Sequence, residues 1–317
     1  MKKLLGMFLC LMLLAGVAMA QETAYDKGVA HYNAGEYEQA MACFEEAAQQ
    51  GHADAANYVG VMYYGGKGVR QSYTTAMLWY ERAAKGGNRY AMSNLGGMYE
   101  FAEGTARDYE KAAYWYKQAA ELDHPRAVHK MGWFNENGYG MEKSYERAAQ
   151  WYRKGAELGY AASMNNLGVF YEEGRGVKQD YAQAKAWYEK AIDGGELYAM
   201  NNLGWMYQNG KGVKQNYTMA RMLYEEAAAK DHAPAIRNLS YLYRDGKGVK
   251  QDYAKSFELA KKAADMGDRN AMGNLGRHYE CGYGVDADLE QAKAWYEKGA
   301  ALGDSYCQEQ LDRLNGK

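Results

Sequence analysis

Small and apolar residues recur along the chain at spacings of three, four and seven residues, which is the pattern of one buried helix face. In residues 181–193, Ala184, Tyr188 and Ala191 share such a face, and two glycines follow where the helix would end. Residues 161–173 carry a second pattern of this kind, separated from the first by the polar loop GRGVKQD. The pattern predicts two helices joined by a glycine-rich loop.

This helix pair repeats with a period of 36 residues. A glycine, or in one unit a serine, marks the middle of the first helix in seven successive units, at Gly60, Gly96, Gly132, Gly168, Gly204, Ser240 and Gly276. One pair cannot bury its apolar face alone, so neighbouring pairs must stack. The sequence therefore predicts an all-α fold, a right-handed α/α solenoid of stacked helix-turn-helix repeats. Tyrosines such as Tyr171 are expected to fill the space between layers.

The two ends of the repeat array depart from the period. Gly28 precedes Gly60 by 32 residues, so the first pair, in residues 21–52, has a shorter loop. Seven units of 36 residues then occupy residues 53–303. The last segment, residues 304–317, supplies a single helix with an apolar face. We expect this helix to cover the last layer, because the terminal units of such arrays need a polar outer face.

Residues 1–20 follow a different pattern from the rest of the chain. Two lysines, an apolar run and the small-residue sequence Ala18-Met19-Ala20 are the three parts of a secretory signal peptide. A membrane anchor would need ~20 apolar residues, whereas polar residues follow Ala20 at once. We predict cleavage after Ala20 and a mature chain in the periplasm or outside the cell.

Charge and composition narrow the classes of partner. The formal net charge is -2, whereas nucleic acid or an anionic membrane would require a basic stripe. Neither is therefore predicted as a partner. The chain has 31 tyrosines but only 6 phenylalanines and 2 prolines. This favours a thin, surface-rich architecture, because tyrosine rings need a wet or hydrogen-bonded edge.

Two motifs of the unit resemble a known family. Residues 199–207 read AMNNLGWMY, and residues 174–181 read GRGVKQDY. Over residues 53–303 this pattern closely resembles the Sel1-like repeat, a relative of the tetratricopeptide repeat, while the first pair looks more like an ordinary tetratricopeptide unit. The resemblance implies that the first helix of each pair lines a concave binding face. It also implies a role as an envelope adaptor, a host-interaction factor or a toxin-neutralising protein. The chain departs from the family pattern at Ala102, Asn135, Ser240 and Ala260.

Signatures of catalysis and of metal binding are missing from the sequence. Zinc-protease, nucleophile-elbow and P-loop motifs do not occur, and the six histidines are scattered over different units. No catalytic residue, cofactor or metal is therefore predicted. Cys281 and Cys307 would lie at opposite ends of neighbouring helices, which argues against a disulfide. Some cysteine-rich secreted relatives are described as hydrolases, so a cell-wall or β-lactam hydrolase is the alternative function.

Candidate binding residues lie near the middle of the first helix. Two residues before the marker position, most layers carry an asparagine: Asn94, Asn166, Asn202, Asn238 and Asn274, with Lys130 as the exception. In related tetratricopeptide proteins the equivalent amide holds the backbone of a bound peptide, since one amide offers donors and an acceptor together. Alternatively, these amides form hydrogen bonds within the solenoid itself.

The position one residue after the marker varies most along the chain. It holds Trp133, Trp205 and Tyr241, which are residue types enriched in binding hot spots. With the asparagines, these residues define a candidate site for a protein, an extended peptide or a glycan-associated complex on a monomeric scaffold. A purely structural oligomer would instead associate with itself and leave this face empty.

Overall fold

The chain is described here by a computed structural model that covers residues 23–316, and this range is helical with no strand. The predicted signal peptide and its cleavage site lie outside the described residues. The helices of the described range are α1 (Ala24–Asn33), α2 (Tyr37–Gln49), α3 (Ala53–Gly65), α4 (Tyr73–Lys85), α5 (Arg89–Phe101), α6 (Tyr109–Glu121), α7 (Pro125–Asn137), α8 (Tyr145–Glu157), α9 (Ala161–Glu173), α10 (Tyr181–Asp193), α11 (Leu197–Asn209), α12 (Tyr217–Ala228), α13 (Ala233–Asp245), α14 (Tyr253–Asp265), α15 (Arg269–Cys281), α16 (Leu289–Ala301) and α17 (Ser305–Leu314). Helix pairs stack in chain order, so the expected solenoid class is confirmed.

Contacts between residues divide the chain into two units. The N-terminal unit comprises residues 23–134 and 138–142 of the described range, and the C-terminal unit comprises residues 135–137 and 143–316. In the C-terminal unit α17 packs on α16, and Leu311 is buried in that contact. Within residues 23–316, no helix is both long and apolar enough to cross a membrane.

The loop motif of the repeat encodes the boundaries of the helices. In GRGVKQDY, Gly174 has a φ of 70° and ends α9, as left-handed backbone at a helix end favours glycine. Asp180 then caps α10, because its side chain accepts hydrogen bonds from the backbone N–H groups of Ala182 and Gln183. Asparagine or aspartate caps the second helix at the equivalent position of each later unit, at Asn216, Asp252 and Asp288.

The marker glycine is required by a buried tyrosine ring of the second helix. A Cβ atom added to Gly168 would lie 2.6 Å from the ring of Tyr188, and one added to Gly96 would lie 2.7 Å from the ring of Tyr116. Both rings are fully buried. Tyr171, which was expected to fill the space between layers, is only half-buried and accepts a hydrogen bond from Arg153. It packs against the buried clusters on both sides of α9, as expected, whereas the fully buried ring beside the marker glycine comes from the second helix.

One layer of the C-terminal unit is built differently. Ser240 replaces the marker glycine where Ala260 replaces the tyrosine. The space is taken by buried polar side chains: the Ser256 hydroxyl donates to the Ser240 carbonyl oxygen at 2.8 Å and lies 3.0 Å from His278 Nε2. The two departures from the family pattern therefore compensate each other, because the serine fits only where the ring is missing.

Candidate partner-binding groove

A groove of about 640 Å³ crosses the C-terminal unit. First helices of successive pairs supply most of its lining, together with the single C-terminal helix α17. The lining includes carboxylate, amide, aromatic and guanidinium side chains: Glu172, Tyr188, Asn202, Trp205, Arg237, Asn238, Tyr241, Asp304 and Tyr306. The groove therefore contains four of the eight residues that the sequence proposed, namely Asn202, Trp205, Asn238 and Tyr241.

Aromatic side chains form one part of the lining. Trp205 on α11 is 40% exposed, which is unusual for so large an apolar side chain. Tyr241 on α13 is half-buried, and burial raises the pKa of its hydroxyl. Tyr306 on α17 is also exposed. Because these rings offer apolar area with little conformational entropy to lose, they are suited to anchor a ligand.

Two asparagines of the lining bridge adjacent layers. Asn202 Nδ2 donates to Asn165 Oδ1 at 3.0 Å, and Asn238 Nδ2 donates to Asn201 Oδ1 at 2.8 Å. Each amide thus gives one N–H to the solenoid, as the structural alternative predicts. The carbonyl oxygen of Asn202 forms no hydrogen bond with any residue of the described range, so this amide can still accept from a ligand.

The charged residues give the lining an excess of negative charge. The lining contains three carboxylates, Glu172, Glu173 and Asp304, and one cation, Arg237. Arg237 Nη1 lies 3.0 Å from both carboxylate oxygens of Asp268. The Tyr188 hydroxyl donates to Glu172 Oε2 at 2.6 Å. Burial raises the pKa of Glu172 despite this hydrogen bond. Its carboxylate is therefore partly removed from water and only partly compensated.

The other proposed residues lie elsewhere. Asn94 lines a separate groove of about 420 Å³ in the N-terminal unit. Asn166 is half-buried on α9 and accepts from Asn165 Nδ2 at 3.2 Å. Asn274 is only 4% exposed, and its Nδ2 donates to Ser240 Oγ at 2.7 Å. Asn274 is turned inward because the serine of this layer gives it a buried partner.

Trp133 belongs to the N-terminal unit and is held by its own chain. Lys130 Nζ lies 4.8 Å from the centroid of its ring, and the ring of Tyr139 lies 4.8 Å away. The same lysine forms an ion pair with Glu100 at 2.7 Å. Trp133 is therefore half-buried, in contrast to Trp205.

A serine and a histidine meet in the C-terminal unit, which the sequence motifs did not indicate. Ser256 Oγ and His278 Nε2 are 3.0 Å apart, but both residues are 0% exposed. A nucleophile must reach its substrate, and this pair has no opening to solvent. Residues 23–316 contain no group of three or more potential ligands placed to hold a metal ion. The three cysteines of that range, Cys43, Cys281 and Cys307, are free.

Motif searching missed Glu172, Arg237, Asp304 and Tyr306. A signal for Glu172 is nevertheless present in the sequence. A glutamate stands 16 residues before the buried tyrosine in four units, and in each the tyrosine hydroxyl donates to that carboxylate, as in the pairs Glu100–Tyr116, Glu136–Tyr152, Glu172–Tyr188 and Glu280–Tyr296. This spacing would have placed a carboxylate beside the marker glycine in those four units.

The Sel1 repeat family model matches eight consecutive segments, at residues 18–52, 53–88, 89–124, 125–160, 161–196, 197–232, 233–268 and 269–304. The stacked helix pairs and these matches define a helical repeat scaffold. The chain belongs to the Sel1 repeat family, and the matched segments include the short first pair.

Solved structures of other repeat proteins resemble this chain. A Sel1 repeat protein from Oxalobacter formigenes is 32% identical with a TM-score of 0.71, over 76% of this chain and 99% of that one. A protective antigen of uropathogenic Escherichia coli strains is 28% identical with a TM-score of 0.65, over 92% of this chain and 71% of that one. An immunity protein from Pseudomonas aeruginosa, with 19% identity and a TM-score of 0.50 over 69% and 82% of the two chains, shares the fold alone. No curated protein matches the chain.

Proposed function

We propose that this chain is a non-enzymatic scaffold that binds an extended segment of a partner protein in the groove of the C-terminal unit. The observation that carries the proposal is the groove itself, where an exposed indole, further aromatic rings and layer-bridging amides lie side by side. Concave surfaces of stacked repeats are the usual binding sites of such proteins. Adaptor, host-interaction and toxin-neutralising roles are each compatible with this mode of binding.

An extended segment suits the groove better than a compact small molecule. Most of the lining comes from the first helices of four successive pairs, α9, α11, α13 and α15, and from the single helix α17, so the groove crosses the layers rather than ending in one of them. Amides repeated in adjacent layers can meet peptide groups that lie a few residues apart along an extended segment, and aromatic rings beside them can hold side chains.

Comparative affinity capture tests this proposal. The wild type, Trp205→Ala and Met222→Ala are used as baits, because Met222 is an exposed apolar residue of α12 outside the groove lining. We expect one partner to be retained by the wild type and Met222→Ala and lost from Trp205→Ala. The affinity of that partner should fall by about 2 kcal/mol, roughly thirtyfold, as for a hot-spot residue. If both variants lose the partner equally, or if neither loses it, the groove is not the site that binds the partner.

We further propose that the chain is exported, with residues 1–20 as a cleaved signal peptide. Mass spectrometry of the exported protein should then find Gln21 at its N-terminus. A product that retains Lys2 and Lys3 would reject the cleavage.

A further inference from the structure

Two copies of one residue pattern lie two repeats apart in this chain. Glu100 and Trp133 in the N-terminal unit occupy the same repeat positions as Glu172 and Trp205 in the C-terminal unit. Both glutamates accept a hydrogen bond from a buried tyrosine of the following helix, at 2.6 Å in each case. The copies are therefore alike in how the carboxylate is held.

In the N-terminal unit this pattern binds an ammonium group of the chain itself. Lys130 Nζ lies 2.7 Å from Glu100 Oε1 and 4.8 Å from the centroid of the Trp133 ring. A carboxylate gives the cation a charge-assisted hydrogen bond, and an indole face attracts it through the ring quadrupole. Glutamate and tryptophan at these two repeat positions are thus able to hold a lysine side chain.

In the C-terminal unit the chain supplies no such ammonium. The position of Lys130 is taken by Asn202, and Glu172 forms no ion pair with any residue of the described range. The other tyrosine-bound glutamates of the C-terminal unit do have a cation. Glu136 pairs with Arg175 at 3.1 Å, and Glu280 pairs with Arg313.

The charged groups around Glu172 compensate only in part for the removal of its carboxylate from water. Burial raises the pKa of Glu172, and the positive charge of Lys211 offsets this only in part. Lys211 is exposed and forms no ion pair within residues 23–316, although it stands at the loop position of Arg175. Arg237 is already bound by Asp268, and the neighbouring Glu173 is bound by Arg175. A cation from outside the chain would therefore be stabilised beside Glu172.

We propose that Glu172 and Trp205 bind the side-chain ammonium group of a lysine in the partner segment. This inference rests on the proposed function, because it names the chemistry that the groove recognises. Lysine is chosen because the chain itself places a lysine in the equivalent site of the N-terminal unit. Asn202 lies in the same groove, where its free carbonyl oxygen can accept from the segment's backbone.

The test is a nuclear magnetic resonance titration that follows the indole N–H signals of the full chain. The probes are Nα-acetyl-lysine N-methylamide and its norleucine analogue, which keeps the four-carbon side chain and lacks the ammonium group. We expect the lysine probe to shift the Trp205 signal, assigned with Trp205→Phe, and the norleucine probe to leave it nearly unchanged. Glu172→Gln should weaken binding of the lysine probe roughly tenfold, since it removes the charge of one charge-assisted contact.

Glu280→Gln is the matched control, because Glu280 is also bound by a tyrosine hydroxyl and is not part of the groove lining. It should leave the titration unchanged. Equal shifts with both probes, unchanged binding in Glu172→Gln, or equal weakening in Glu280→Gln would each overturn the lysine site. A partner that needs Trp205 while the two probes behave alike would uphold the groove and reject only its lysine specificity.

Discussion

The Glu100–Trp133 pattern and the Glu172–Trp205 pattern differ in whether the chain itself supplies a cation between the carboxylate and the indole. In the N-terminal unit Lys130 joins the carboxylate and the indole, so Glu100 is only 4% exposed and the pair is part of the packing. In the C-terminal unit Asn202 bridges to Asn165 instead, and Trp205 remains 40% exposed. One side chain, lysine or asparagine, separates the two cases.

Residues that deviate from the repeat pattern therefore say more about differences between layers than the periodic residues do. The periodic residues, such as the marker glycine and the buried tyrosine, explain the fold of every layer. Residues that vary at a fixed position, such as Lys130 and Asn202, decide which internal contacts the surface of that layer forms. The predictions below separate these two kinds of residue.

Removing the carboxylate charge should have its largest effect in the N-terminal unit. Glu100→Gln leaves Lys130 without its partner, and breaking such a pair should lower the free energy of unfolding by about 3 kcal/mol. Glu172→Gln should cost less than about 1 kcal/mol, because a glutamine can still accept the tyrosine hydrogen bond. Gln208 does this naturally for Tyr224, at 3.1 Å. Urea unfolding followed by circular dichroism measures both variants, and equal losses would contradict the structural distinction between the copies.

The helix caps of the two layers should differ in their dependence on pH. His124 caps α7, whereas Glu196 caps α11 two repeats later. Burial, assisted by Arg89 and Arg126, lowers the pKa of His124 to about 4 from 6.5. Below pH 6.5 the unfolded chain therefore binds a proton that the folded chain does not. The contribution of neutral His124 to the free energy of unfolding is fully present above pH 6.5 and is lost as the pH falls toward 4.

The size of this effect follows from proton linkage. One such histidine lowers the free energy of unfolding by about 1.4 kcal/mol for each pH unit of acidification, or by roughly 2 kcal/mol from pH 6.5 to pH 5. His124→Asn should remove that part of the pH dependence and keep the cap, since Asn88 caps the equivalent helix α5. Unfolding curves at pH 7 and pH 5 provide the measurement. An unchanged pH dependence in the variant would show that His124 is not held neutral by the fold.

A change of redox conditions should have the smallest effect on the thermal stability of both units. Cys43 lies in the N-terminal unit, Cys281 and Cys307 lie in the C-terminal unit, and all three are free. A reducing agent should therefore leave Tm unchanged within error. A loss of several degrees would reveal a disulfide, because removing one typically costs 2–5 kcal/mol.

The fold could be predicted from the sequence because its causes are local and periodic. The 36-residue spacing, the cap at Asp180 and the glycine before Tyr188 each act within one or two layers. Period alone does not distinguish Tyr171, which is half-buried between two core clusters, from Tyr188, which is fully buried. The buried ring is recognised only by its close approach to glycine.

The candidate site could be predicted only in part, since its residues come from separate layers. Position along the first helix selected Asn202 and Trp205 as candidates, and both line one groove. It could not distinguish half-buried Trp133 from exposed Trp205, because the contact that differs between them is made by Lys130. Nor could it predict that Ser240 turns Asn274 inward, since that bond joins residues 34 positions apart.

The most direct test of the central claim is the dissociation constant of the captured partner for Asn202→Lys, measured by calorimetry. This variant copies Lys130 into the C-terminal unit and should place an internal ammonium between Glu172 and Trp205. Asn202→Gln is its control, because it keeps the amide without adding a charge. We expect at least tenfold weaker binding by Asn202→Lys than by Asn202→Gln, with both variants folded. Equal affinity of the two variants would show that Glu172 and Trp205 do not bind a lysine of the partner.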